Sequence, residues 1–139
     1  MALILLSYGN MAYDIVNTAE MLVNETADDV IAFGVQEKDD PDTISQQVSD
    51  AINHYYNDET VYLVFDYRGG IAGNIALNLT QKYPKIHVIS GLNLPLVMDY
   101  INKKSDEIKT SELVTVSRNS INDVSDYLKG KIDTNDECE

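Results

Sequence analysis

The sequence predicts an α/β fold in which a parallel sheet is covered by helices on both faces. Short apolar runs alternate along the chain with longer amphipathic stretches, which is the pattern of repeated βαβ units. The apolar runs are nearly continuous, as in strands that are buried on both faces. The 139 residues, 44% of them hydrophobic, suit one domain with a sizeable core. We expect this domain to span 1–130, followed by a polar tail at 131–139.

Four apolar segments have the length and composition of central strands. They are "ALILL" (2–6), "VIAFG" (30–34), "VYLVF" (61–65) and "IHVIS" (86–90). A fifth strand stays open, because the β-branched run "LVTV" at 113–116 also fits an extended segment. The sequence therefore predicts a mainly parallel sheet of four or five strands.

Helical spacing of apolar residues separates these strands. Helices are predicted over about 11–23, 42–56 and 73–82, and the second follows "DDPD", where proline and acidic residues favour a helix start. The predicted buried faces of the three helices are, in order, Ala12, Ile15, Val16, Ala19 and Leu22; Ile44, Val48, Ala51, Ile52 and Tyr55; and Ile75, Ala76 and Leu79.

Two more helices are predicted after the fourth strand. "LPLVMDYINK" is the fourth, and "SELVTVSRNSINDVSDYL" (111–128) is the fifth unless part of it is extended. The fifth segment keeps helical spacing at Leu113, Val116, Ile121, Val124 and Leu128.

Composition excludes several functional classes. A formal net charge of −13 and a pI near 4.3 oppose binding to nucleic acids and to anionic membrane surfaces. No apolar run approaches the roughly 20 residues that span a bilayer, and the N-terminus lacks the basic start of a signal peptide. The single cysteine, Cys138, allows no intramolecular disulfide or cysteine cluster, and no clustered His/Asp pattern occurs. We expect a cytoplasmic protein without a metal or cofactor.

Ligands of an open parallel sheet meet the loops at the carboxyl ends of its strands. These loops are "SYGN", "VQEKDD", "DYRGGIAGN" and "SGLNLP". With right-handed crossovers and a central first strand, we expect the first, third and fourth loops to converge and the second to lie further out.

The third loop is the richest in candidate functional groups. Asp66 ends a strand, and the three glycines of "RGGIAG" allow close approach to a helix start whose amides could hold a phosphate or carboxylate. Arg68 could neutralise such an anion. The alternative is a flexible turn with a solvated Arg68. The loop has neither the GxxxxGKS/T signature nor a GxGxxG that follows the first strand, so it gives little support for nucleotide binding.

The other loops have simpler interpretations. The Tyr8 ring is expected to pack over the sheet edge with its hydroxyl donating to Asp66, since a phenol with an ordinary pKa of about 10 is a poor nucleophile. Asn93 is expected to cap a helix with Pro95 in its first turn. His54 lies late in a helix and His87 inside a strand, so both are interpreted as structural or exposed.

Four motifs stand out together: "SYGNMA", "NTAEML", "FDYRGGIAGN" and "SGLNLPLV". Together they resemble the mannose-type enzyme IIA of the bacterial phosphoenolpyruvate-dependent sugar phosphotransferase system. "SYGNMA" parallels the family's S/T-H-G-x-x-A, and "NTAEML" parallels its S-A-E-M-I/L. "FDYRGGIAGN" parallels V-D-x-x-G-G-S-P-x-N, and "SGLNLPLV" parallels G-L/V-N-L/I-P-M. The motifs occur in the family's order and cover roughly residues 2–103.

The resemblance implies a three-layer α/β sandwich, commonly a homodimer completed through C-terminal elements. In the family, the histidine of H-G takes a phosphoryl group from HPr, and the aspartate of V-D orients that histidine. The group then passes to an enzyme IIB, which phosphorylates sugar during uptake. The implied partners are therefore HPr and a IIB protein, with contact to the membrane only through transporter components.

The family's functional residues map onto this chain with one major departure. The matching third-loop and fourth-loop positions are Asp66, Gly69, Gly70 and Asn74, and Gly91, Asn93 and Pro95. Ser7 and Gly9 flank the acceptor position, where Tyr8 replaces histidine, and Ile71-Ala72 replaces the family's Ser-Pro. A phosphoryl group is labile on imidazole nitrogen but forms a stable ester on a phenol oxygen. We therefore expect the ordinary relay not to run through position 8.

Two other functional classes stay open. A receiver-like signalling domain would use Asp66 as the phosphoacceptor and Ser90 near the fourth strand, although the first loop lacks an acidic pair for magnesium. A non-catalytic module for binding a small molecule or a protein would use the glycine loop.

Overall fold

A four-stranded, all-parallel sheet lies at the centre of the protein in a computed structural model that describes residues 1–103, 108–126 and 129. The strands are β1 Ala2–Tyr8, β2 Val30–Val35, β3 Val61–Phe65 and β4 His87–Ser90. Their order across the sheet is β2-β1-β3-β4, with parallel pairing between all neighbours. The predicted α/β class with a parallel sheet is confirmed.

Side chains of the central strand alternate between two cores, one on each face of the sheet. Leu3 and Leu5 belong to one core, whereas Ile4 and Leu6 belong to the other. All four side chains are fully buried, and burial of each is worth about 1.5–3 kcal/mol. This two-sided burial explains why the strand is a continuous apolar run with no polar alternation.

Five helices within residues 1–119 cover the two faces. They are α1 Met11–Val23, α2 Pro41–Tyr56, α3 Ile71–Lys82, α4 Leu94–Lys103 and α5 Thr110–Asn119. Residues of α1, α4 and α5 contribute to one core, and residues of α2 and α3 to the other. The predicted start of α2 is confirmed within one residue, because Pro41 opens the helix and the Asp40 carboxylate accepts from the Asp42 N–H.

The predicted inward face of α1 is wrong at its last turn. Ala12 and Ala19 are buried, but Leu22 is 60% exposed. Val23 is half-buried there and packs against the core, so it takes the inward position predicted for Leu22.

The predicted fifth helix is interrupted, because α5 stops early and only 124–126 and 129 are helical among the described residues beyond it. Helix α5 ends at Asn119, and Ile121 and Val124 are largely exposed. Polar side chains satisfy the last carbonyls: Ser120 Oγ donates to Ser117 O, and Asn122 Nδ2 donates to Asn119 O. The alternative strand at 113–116 is also wrong, because these residues are helical. Position 128 and the predicted tail, 131–139, lie outside the described residues.

Candidate functional site

The loop after β2 lies beside the loop after β1, contrary to the sequence prediction. Because β1 is flanked by β2 and β3, the second loop is adjacent, and the fourth is separated from the first by β3. The Gly9 N–H donates to Val35 O at 2.8 Å, and Gln36 Nε2 donates to Asn10 Oδ1 at 3.0 Å. The sequence did not predict the contact between Gln36 and Asn10, because residue order alone does not show that β2 is a neighbour of β1 in the sheet.

The Asp66 carboxylate joins the first and third loops. Its Oδ2 accepts from the backbone N–H of Tyr8 at 2.8 Å, and its Oδ1 accepts from the backbone N–H of Tyr67 at 2.7 Å. The predicted partnership of Asp66 with residue 8 therefore exists, but the predicted donor is wrong, because the main chain donates and not the phenol.

The side chain of Tyr8 projects from the end of β1 towards solvent. The residue is 48% exposed, and its hydroxyl makes no hydrogen bond to any residue that the structure describes. The phenol is therefore accessible to a partner at the edge of the sheet.

Ser7 builds the turn that presents Tyr8. Its hydroxyl is fully buried, accepts from the Ala12 N–H at 2.9 Å and donates to Gly9 O at 3.4 Å. It thereby satisfies an amide of the first turn of α1, where Asn10 provides no side-chain cap. Gly9 follows with φ of +75°, a conformation that favours glycine.

Gly34 is a second residue that sequence reasoning missed. A Cβ atom at this position would lie 2.3 Å from the carbonyl oxygen of Gly9 and 2.8 Å from Cε2 of Tyr13. The end of β2 therefore approaches the Tyr8 turn so closely that a side chain does not fit. In the sequence, this close approach could have been inferred from a glycine that ends the otherwise bulky apolar run "VIAFG".

The glycine loop turns sharply into α3. Gly69 has φ of +99°, and Gly70 precedes the helix without any side-chain cap. A Cβ on Gly70 would lie 3.0 Å from the Tyr67 ring. Arg68 is exposed and forms no ion pair within residues 1–103, 108–126 and 129, so its charge is available to a partner.

Asn93 acts as the predicted helix cap. Its Oδ1 accepts from the Leu96 N–H at 3.1 Å, and its Nδ2 donates to Ser117 O at 3.4 Å, which connects α4 to α5. Pro95 lies in the first turn of α4, and Gly91 has φ of +90°. The Gly91 and Leu92 N–H groups both donate to Phe65 O, so this loop borders the third loop and not the Tyr8 turn.

Neither histidine of the chain lies near Tyr8. His87 is the first residue of β4 and stacks on Tyr62, with ring centroids 5.3 Å apart. His54 lies late in α2 and meets Tyr55 edge to face at 4.8 Å. Both are therefore remote from the carboxyl ends of the strands, as predicted.

Large apolar side chains surround the carboxyl edge of the sheet. Tyr8, Met11, Tyr67 and Ile71 are each between 38% and 61% exposed. They lie at the end of β1, in the third loop and at the first residues of α1 and α3. We call these four residues the apolar rim.

No helix in the described part of the chain is long and apolar enough to cross a bilayer. Within the same residues, no three His, Cys, Asp or Glu side chains are grouped so that they could hold a metal ion.

Comparisons with known proteins are consistent in fold and family. The family model for the "PTS system fructose IIA component" matches residues 2–117. The chain is similar to the crystal structure of a PTS IIA protein associated with the fucose utilization operon of Streptococcus pneumoniae, with 26% identity, a TM-score of 0.83, and 91% of this chain and 95% of that chain covered. No curated protein sequence matches the chain.

Two further solved structures show the same fold. The phosphotransferase system component EIIA from Streptococcus agalactiae is 20% identical with a TM-score of 0.75, covering 89% of this chain and 97% of that chain. The mannose/sorbose specific IIA subunit from Enterococcus faecalis is 21% identical with a TM-score of 0.71, covering 88% and 92%. The chain thus belongs to the EIIA-man family, the mannose-type enzyme IIA components that serve sugar uptake by the phosphotransferase system.

Proposed function

We propose that this chain is an enzyme IIA component that binds HPr and IIB-type partners without passing a phosphoryl group through residue 8. The observation that carries this proposal is Tyr8 itself, which stands in "SYGNMA" where the resemblance places the acceptor histidine of the family. Ser7 and Asp66 hold the turn at Tyr8 by hydrogen bonds to its backbone and to the first turn of α1. The scaffold of the site is therefore retained while the acceptor chemistry is changed.

A phenol is poorly suited to a reversible relay. Imidazole titrates near neutral pH and gives a labile phosphoramidate, whereas a phenol must lose its proton and forms a stable ester. The hydroxyl of Tyr8 has no hydrogen-bonded base among the described residues, and both oxygens of Asp66 accept backbone N–H groups instead. Asp66 thus acts as a positioning residue for the turn.

The apolar rim and Arg68 supply a surface for partner proteins. Tyrosine and arginine are among the side chains that most often dominate the energy of such interfaces, and a free guanidinium can meet an anionic group. The backbone amides at Gly69 and Gly70 and the turn at Gly9 shape the same edge. Gly91, Asn93 and Pro95 are proposed to support neighbouring loops and helices, whereas Asn74, exposed in the first turn of α3, is proposed to contact a partner.

A homodimer is part of the same proposal. β4 is an edge strand of the described sheet, and a cleft of about 460 Å³ runs between it and α5. Val88, Val114 and the exposed Ile121 are among the apolar residues of its mixed lining. An uncovered strand edge beside exposed apolar side chains suits pairing with a second copy. Sedimentation equilibrium tests this point, and a monomer at all concentrations would contradict it.

The function is tested by incubating the protein with phosphoenolpyruvate, enzyme I and HPr. Intact-mass measurement is expected to show no gain, while isotope-labelled HPr shows chemical-shift changes when the chain is added. An acid-labile gain of one phosphate would disprove the loss of the relay. Unchanged HPr spectra would disprove the proposed binding.

The receiver-like alternative receives little support from the geometry. Its acceptor would be Asp66, and both carboxylate oxygens of this residue are already bonded to backbone N–H groups. Incubation with acetyl phosphate and magnesium should therefore leave Asp66 unmodified.

A further inference from the structure

We propose that the outer face of α1 is a docking site for a basic amphipathic helix of another protein. Helix α1 carries two stripes of mainly apolar residues. The inner stripe packs against the core and consists of Ala12, Val16, Ala19 and Val23. The outer stripe repeats the same spacing of three or four residues and consists of Met11, Asp14, Ile15, Thr18, Met21 and Leu22. Ile15 lies at the border of the two stripes and also packs against the core.

The outer stripe is exposed although most of its side chains are apolar. Met21 is 79% exposed, Leu22 is 60% exposed and Met11 is 38% exposed. An apolar face at helical spacing normally packs against another element, and these exposures leave the three side chains available to a partner. From Met11 to Leu22 the stripe is about 16 Å long, which matches three turns of a second helix.

A groove beside the outer stripe gives a partner helix a place to lie. The groove has a volume of about 460 Å³ and separates α1 from the start of α4, where Leu94 forms the facing wall. The side of the groove that belongs to α1 is lined by Met11, Asp14, Ile15 and Thr18. Amphipathic helices bind in such grooves through apolar residues that recur every three or four positions, and methionine side chains adapt to them readily.

Charge favours a basic partner over a second copy of this chain. Residues 1–37 contain no lysine or arginine, and Asp14 lies within the outer stripe. The Asp14 carboxylate makes no hydrogen bond or ion pair with any residue that the structure describes. Glu25 and Asp28 continue the negative charge beyond the end of α1. Lysine or arginine on a partner helix would balance Asp14, whereas two copies of α1 would bring like charges together.

This site is distinct from the surface that is proposed to bind HPr. The apolar rim lies at the carboxyl edge of the sheet and shares only Met11 with the outer stripe. Met21 and Leu22 lie at the other end of α1, three turns away from Met11. Variants at these two positions therefore separate the two surfaces, and the proposal does not depend on the fate of the relay at Tyr8.

Fluorescence anisotropy tests the proposal with a labelled synthetic helix of about 18 residues, made of leucine and lysine with the leucines on one face. At about 150 mM salt we expect this peptide to bind the wild-type chain with a Kd below about 100 μM. Two control peptides should each bind at least about tenfold more weakly. One has glutamate in place of lysine, and the other has the leucine and lysine order scrambled so that no apolar face forms.

Met21→Gln and Leu22→Gln should each weaken binding of the leucine–lysine helix by at least about fivefold, because they remove exposed apolar area while glutamine retains helix propensity. Asp14→Asn should weaken binding by about threefold and reduce its dependence on salt. Leu77→Gln is the matched control, because Leu77 is 51% exposed but lies on α3, on the opposite face of the sheet. It should bind as the wild type does. Circular dichroism establishes that all four variants fold.

The proposal is overturned if the leucine–lysine helix does not bind at up to about 1 mM, if either control peptide binds as tightly, or if Met21→Gln and Leu22→Gln bind like Leu77→Gln. Two results with Leu22→Gln alone would also overturn it. Loss of self-association in sedimentation would assign the outer stripe to a second copy of the chain. Loss of the chemical-shift changes in labelled HPr would assign it to HPr. We expect both properties of the wild type to be unchanged in this variant.

Discussion

The carboxylate of Asp66 binds the backbone N–H of Tyr8, at 2.8 Å, and leaves the phenol of that residue unbound. The bond joins the ends of two neighbouring strands, β1 and β3. It can hold the turn at Tyr8 whichever side chain stands at position 8, since a main-chain donor is common to all residues except proline. The turn can therefore keep its shape with tyrosine, or another side chain, at position 8.

Asp66→Asn should destabilise the protein by about 1.5–3 kcal/mol in urea unfolding. The two carboxylate oxygens of Asp66 accept from the N–H groups of Tyr8 and Tyr67. Asparagine keeps one acceptor oxygen, so its NH₂ group would face the other N–H, and that donor would lose its hydrogen bond. Asp58→Asn is the control, because its exposed side chain makes no hydrogen bond within the described structure. Equal stability of the two variants would refute the role of Asp66.

Tyr8→His should restore phosphoryl acceptance from HPr. Ser7, Gly9 and Asp66 already hold the turn, so imidazole would enter a prepared position. Mass spectrometry is expected to show one added phosphate that is lost in acid. Tyr13→His, on exposed α1 surface, should gain none. If Tyr8→His also gains none, the defect extends beyond this residue, with Ile71-Ala72 as the next candidate.

Gly34→Ala should cost more than about 2 kcal/mol of unfolding free energy, because its Cβ would overlap the carbonyl of Gly9. The Tyr8 turn or the end of β2 would have to move. Gly69→Ala is the comparison: it is strained by its positive φ but meets open space, so about 1 kcal/mol is expected. A smaller loss of unfolding free energy for Gly34→Ala than for Gly69→Ala would contradict this prediction, because it would mean that the Tyr8 turn or the end of β2 can move at little cost.

Tyr100→Phe should lower stability by about 1–3 kcal/mol at pH 7, since the buried phenol donates to Asp29 Oδ2 at 2.9 Å. Burial and the hydrogen bond to Asp29 raise the pKa of Tyr100 above its ordinary value of about 10. Above pH 10 the unfolded chain loses this proton while the folded chain keeps it, so wild-type stability falls as pH rises.

The phenylalanine variant lacks that titration, so the stability difference from wild type should narrow above about pH 10. Urea unfolding between pH 7 and pH 11 measures it. Tyr67→Phe, at an exposed phenol, is the control and should follow the wild type at each pH. A difference that stays constant with pH would contradict the assigned role of burial.

The sequence by itself determined the fold class, the four strands and most of the helices. Burial on both faces requires unbroken apolar strands such as Ala2–Tyr8, and this requirement is visible in the residue order. The family motifs also lie in local strand-to-helix turns, so they could be recognised from the chain alone. That position 8 is a tyrosine and not a histidine can likewise be seen in the sequence alone.

Only the tertiary structure decided which loops meet and which atoms bond. Residue order does not reveal that β2 pairs beside β1, and therefore that Gln36 and Gly34 contact the Tyr8 turn. It also does not distinguish the backbone donor of Tyr8 from its hydroxyl as the partner of Asp66. These contacts join residues far apart in the chain, and their geometry arises only when the packed sheet brings the strand ends together.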